Sequence, residues 1–125
     1  MVDDNIRIRY ENGRKIVEIT ARGGDLDTVT MKAMETAARV GGTYRSSPVA
    51  ERWLGDVMVG QNAGKVDVHN RNIAYWKDIL RQDPNDSQAR SEIQKSQDSR
   101  EFYSDQQRRH QRMANGGSYL KDDEK

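Results

Sequence analysis

Cysteine is absent from this sequence, phenylalanine occurs once, and histidine and proline occur twice each. Without cysteine there are no disulfides and no thiolate metal sites, a composition compatible with a reducing cytoplasm. Long apolar runs are missing too: none approaches the roughly 20 residues needed to span a bilayer. The opening residues Met1-Val2-Asp3-Asp4-Asn5 have neither the basic nor the apolar region of a secretory leader. The expectation is a soluble, cytoplasmic protein without a membrane partner.

Large aliphatic residues are also scarce. Leu, Ile, Val and Phe make up 21 of 125 residues, below the roughly 20% at which disorder becomes a concern. The net charge that accompanies disorder is missing, since 21 basic residues face 20 acidic ones. A folded portion with a polar extension is therefore expected. Only Ile93, Phe102 and Leu120 of the 21 lie beyond Asp83, so the last third cannot form a core of its own. Residues 1–83 are read as a compact core, 84–114 as a polar helix extending from it, and 115–125 as a disordered tail. A net charge of +1 gives no general attraction to nucleic acid or anionic lipid, so any such binding must come from a local patch.

Asn5 to Thr20 reads as a β-hairpin with Asn12-Gly13 at its turn, because a type I′ turn needs positive φ at both central positions. Counting outward pairs Tyr10 with Lys15, Ile8 with Val17 and Ile6 with Ile19, which puts four aliphatic residues on one face. Arg7 opposes Glu18 on the other face, where opposite charges help slightly. Ile16 falls beside Arg9 on that second face, against the pattern, as it would if the hairpin were covered on both sides or joined by a third strand. Two strands alone are marginal, so the apolar face needs a helix or another copy of the protein across it.

A helix should begin at Asp25 or Asp27, whose carboxylates suit an N-terminus, and end at Gly41-Gly42 after a stripe of Leu26, Val29, Ala33, Ala37 and Val40. Ser47 is a good N-cap, and Pro48 sits at the first helical position, where its missing N–H is harmless. The pairs Val49-Ala50, Trp53-Leu54 and Val57-Met58 recur four apart, the spacing of one helical face. Gly60 marks a stop. Ile73, Trp76 and Leu80 open a second stripe, with Gly60 to Lys65 read as the connection of a helix pair. Asp83-Pro84-Asn85-Asp86 ends that helix and caps the next. From Ser87 to about Ala114 helical propensity is good, but Ala89, Ile93 and Tyr103 are the only regular anchors. The fold expected is α+β and mainly helical: an N-terminal β-hairpin packed on about three helices, with a long polar C-terminal helix.

The junction Tyr75-Trp76 through Leu80, then Asp83-Pro84-Asn85-Asp86 and Ala89, resembles the passage between two tetratricopeptide repeats over about fifteen residues. No second copy stands about 34 residues upstream, so it reads as an ordinary helix–turn–helix corner. Gly60-Gln61-Asn62-Ala63-Gly64-Lys65 is one residue short of a P-loop, with Val66 where a Ser or Thr should hold magnesium.

Three surfaces could carry chemistry. Arg45, Ser46 and Ser47, after Gly41-Gly42-Thr43-Tyr44, converge on a helix N-terminus that would favour an anion, although capping alone explains Gly41 and Ser47. Arg108, Arg109 and Arg112, near the ring of Tyr103, form the one dense basic cluster and could contact single-stranded nucleic acid. Asp105 offers i,i+3 and i,i+4 partners to Arg108 and Arg109, as on a solvated helix surface. Ile6, Ile8, Val17, Ile19, Ile93 and Phe102 are candidate interface residues. The two histidines lack ligand spacing, so no metal or other cofactor and no catalytic residues are assigned. The leading expectation is a small non-enzymatic adaptor, regulator or assembly protein with a protein partner, a homodimer being favoured over a monomer. Nucleic-acid binding through the basic cluster is the alternative, and a small hydrolase or nuclease toxin using His69 the third.

Overall fold

The computed structural model describes residues 4–125; Met1 to Asp3, part of the opening judged above for leader features, lie outside the described residues. It is α+β and mainly helical. Strands β1 (Ile6–Glu11) and β2 (Arg14–Ile19) form the hairpin, helix α1 (Leu26–Val40) follows, and strand β3 (Thr43–Tyr44) leads into helices α2 (Pro48–Gln82) and α3 (Ser87–Ala114).

The hairpin has the register set by its turn, with Ile6 opposite Ile19, Ile8 opposite Val17 and Tyr10 opposite Lys15. Asn12 and Gly13 both take positive φ, as the type I′ turn requires. A third strand does join: β3 adds in parallel to β2, with Thr43 beside Ile16, and Ile16 is buried on the second face. That face also carries a chain of ion pairs. Glu18 accepts from Arg7 at 2.6 Å and from Arg9 at 3.0 Å, and Glu11 accepts from Arg9 at 2.7 Å and from Arg45 at 2.6 Å. Hydrogen bonds from Arg7 lower the pKa of the Glu18 carboxyl, as those from Arg9 and Arg45 lower that of Glu11.

The apolar face is filled from within the chain. Ile6, Val17 and Ile19 pack with Leu26, Val29, Ala33 and Ala37 of α1 and with Ala50 and Trp53 of α2, and Ile8 lies against the same cluster. Of the four hairpin residues read as an interface, Ile6, Val17 and Ile19 are therefore core and Ile8 is half-buried against it, because α1 and the first turns of α2 cover them. Asp25 caps α1, and Ser47 caps α2 while its hydroxyl donates to the Ile19 carbonyl, tying the helix start to the sheet. Asp86 caps α3.

The expectation of a helix pair joined at Gly60 is also corrected. Gly60 to Lys65 is not a connection between two helices; it is the middle of a single 35-residue helix. Two glycines in a helix interior cost roughly 1 kcal/mol each relative to alanine, which the long contact with α3 outweighs. Among the described residues no helix is long and apolar enough to cross a membrane.

Candidate functional site on the helical hairpin

Helices α2 and α3 run antiparallel, joined at residues 83–86. Their seam follows a heptad pattern that continues through Gly60 to Lys65 without a phase break: Gly55, Val59, Asn62, Val66, His69, Ile73, Trp76 and Leu80 on α2. On α3 the matching positions are Ala89, Ile93, Ser96, Arg100, Tyr103, Gln107, His110 and Ala114. Much of this seam is polar. Asn62 is 2% exposed, with its Nδ2 at 3.4 Å from His110 Nδ1, which itself lies 2.8 Å from the Gln106 carbonyl. The His69 ring stacks on Tyr103 at 5.7 Å, and the Lys65 ammonium lies 4.9 Å from the centre of the Tyr103 ring. His69 Nδ1 is buried with no hydrogen-bond partner among the described residues. Arg100 donates to Asn70 at 3.0 Å. Polar groups at such positions reduce stability but restrict the register in which two helices pair.

The heptad also sorts the outer surface. One side of the hairpin, the side of Asp56, Ala63, Asn70, Gln97 and Ser104, carries no large apolar residue. The other carries Leu54, Val68 and Tyr75, which share one heptad position on α2 with Gln61 between the first two, and Phe102 on α3. Val68, Tyr75 and Phe102 are each more than half exposed. Of the residues expected at an interface, Phe102 alone remains well exposed; Ile93 is buried in the α2/α3 seam. The sequence signal for Val68 and Tyr75 was the unbroken heptad, hidden when Gly60 is taken as a helix end.

The basic cluster is divided by the chain itself. Residues 115–125, read from the sequence as a disordered tail, turn back along α3 as a strap. Arg109 is only 12% exposed on its side chain; its Nε donates to Asp105 at 2.7 Å, and its two Nη atoms donate to both Glu124 oxygens at 2.8 and 2.9 Å. Arg112 donates to the carbonyls of Ser118 at 3.3 Å and Tyr119 at 3.0 Å. The Tyr119 hydroxyl donates to Gln106 Oε1 at 2.7 Å, and its ring meets His110 edge-on. Arg108 remains in solvent, 3.7 Å from Asp105, and Tyr103 is stacked in the seam. The four candidates for nucleic-acid contact thus form no common surface with the strap in place. The anion-binding candidates are similarly committed: Ser47 is a buried cap, Arg45 is paired with Glu11, and only Ser46 is unengaged at the surface.

Arg109 lowers the pKa of both Glu124 and Asp105 by hydrogen bonding, and its own is raised by the same pairs. Because the folded values lie below the ordinary ones, of about 4.5 for Glu and 3.8 for Asp, the strap's contribution is complete above those values. It is lost as the pH falls through the lowered ones. Carbon-13 NMR titration of the carboxyl groups is expected to place the Glu124 midpoint below 4.5, with 116–125 released as it protonates. A Glu124 midpoint at or above 4.5 would contradict the pairing.

Among the described residues no cluster of three His, Asp or Glu side chains is arranged to hold a metal ion. Comparison with protein-family models, with curated proteins and with solved structures gives no match.

Proposed function

We propose that this chain is a non-enzymatic assembly module of the cytoplasm that binds protein through one side of its α2/α3 hairpin, pairing first with a second copy of itself. The observation that carries this reading is the asymmetry of the hairpin: Val68, Tyr75 and Phe102 stand exposed on one side, while the other side carries no large apolar residue. Two antiparallel helices bury one stripe each, and a second stripe at heptad spacing is what a neighbouring helix pair packs against in a four-helix bundle. In a two-fold pair the same patch serves both subunits, so apolar residues meet apolar residues. A near-neutral chain does not oppose that approach.

Sedimentation equilibrium tests it. The intact protein is expected to be dimeric, and the double variant Val68→Glu/Phe102→Glu monomeric with an unchanged far-ultraviolet circular dichroism spectrum, since both side chains are exposed. An intact protein that stays monomeric up to its solubility limit would overturn the self-assembly reading.

A further inference from the structure

We propose that the α3 surface of Gln106, Arg109, His110 and Arg112 is a docking site for an acidic, tyrosine-bearing peptide of a partner protein, which residues 118–124 occupy in cis. It rests on the strap contacts and not on the exposed apolar side, so it stands or falls separately from the dimer. The bound strap displays the chemistry of the ligand. A phenol hydroxyl donates to Gln106 while its ring lies against His110 and beneath the Arg109 guanidinium, whose carbon is 5.3 Å from the ring centre. Five residues further on, one carboxylate takes both Nη atoms of Arg109, the bidentate geometry that guanidinium and carboxylate share. Arg112 donates to the main-chain carbonyls of Ser118 and Tyr119, at the tyrosine end, and so recognises a peptide backbone rather than a side chain.

Asp105 decides between peptide and nucleic acid. Its carboxylate touches Arg109 at 2.7 Å and lies 4.0 Å from the Lys121 ammonium of the strap. A fixed negative charge inside the site opposes a run of phosphates but suits a peptide that places a lysine beside its acid. The strap is also held lightly enough to exchange. Tyr119 is its one aromatic and is half-buried, Leu120 stays 43% exposed, and the Asp122 carboxylate faces solvent, paired among the described residues with Lys125 alone. Asn115, Gly116 and Gly117 join it to α3, and a short tether of this kind keeps the strap at an effective concentration in the millimolar range. A partner therefore gains access by binding more tightly or by meeting a chain whose strap has been released.

The test uses the full chain with Tyr119→Ala and Glu124→Ala, which frees the surface, and a fluorescent peptide copying residues 116–125. By anisotropy, the variant is expected to bind the peptide at least about tenfold more tightly than the intact protein does, as the loss of an intramolecular charged pair implies. Adding Arg109→Ala, or changing the peptide glutamate to glutamine, is expected to remove that gain. A folded variant that ignores the peptide, or one that prefers a single-stranded oligonucleotide, would overturn the proposal. Should the variant fail to fold, excess peptide added to the intact protein must accelerate hydrogen exchange at residues 118–124 while leaving 87–105 unchanged. Unaltered exchange there would overturn it equally.

Discussion

Gly55→Leu is expected to cost more than about 3 kcal/mol of folding stability, beyond the usual range for overpacking a core, because the site has no room for any side chain. A Cβ at Gly55 would lie 2.5 Å from the Ala114 amide nitrogen, 2.6 Å from the His110 carbonyl oxygen and 3.0 Å from the Ala114 Cα. All three are backbone atoms of α3, so no rotamer change relieves the contact and the helices themselves must separate. Gly55→Ala already meets these atoms and is expected to be destabilising, even though alanine gains roughly 1 kcal/mol over glycine in a helix interior. Gly60 and Gly64 are the controls. Nothing stands within 4 Å of a Cβ at either, so Gly60→Ala and Gly64→Ala should each stabilise by up to about 1 kcal/mol. Urea unfolding followed at 222 nm measures all four variants. A Gly55→Ala protein as stable as the parent would show that α2 and α3 do not approach so closely.

Trp53→Ala is expected to cost about 3–5 kcal/mol, the usual range for truncating a buried large aromatic. Trp53 is 9% exposed and packs where sheet, α1 and α2 meet, among Val17, Ile19, Leu26 and Val29. With only 21 large aliphatic or phenylalanine residues in the chain, few neighbours can fill the space it leaves. Against a typical total stability of about 5–15 kcal/mol, that loss leaves a protein that melts early and with little cooperativity. Trp76, half-buried at the far end of the helical hairpin, provides the comparison, and Trp76→Ala should cost clearly less. Thermal melts of the two variants side by side decide it; equal losses would mean that the central cluster is not the dominant core.

The local features of the fold are legible in the chain because their causes lie within a few residues. Asn12-Gly13 specifies the hairpin turn through positive φ, and the turn then sets every pair in the register. Asp25, Ser47 and Asp86 each satisfy an amide three residues ahead. Gly41 closes α1 in the left-handed region. Each of these holds whatever the rest of the molecule does.

The continuity of α2 is of another kind. Gly60 and Gly64 are locally unfavourable, and only a partner helix whose facing residues lie some 50 positions away makes the unbroken helix the better choice. The candidate site depends on distance along the chain in the same way. Arg109 and Glu124 are fifteen residues apart and meet only because the chain reverses after Ala114. Sequence periodicity marks Ile6, Ile8, Val17 and Ile19 as one apolar face but does not say whether α1 or another molecule covers it. By itself, then, the sequence determined the hairpin with its register and the helix starts with their caps, since these are set by contacts over a few residues, but not the continuity of α2. Which faces became core, which arginines became occupied and which apolar side chains were left exposed were decided by tertiary packing, because solvent exclusion depends on what the folded chain brings alongside.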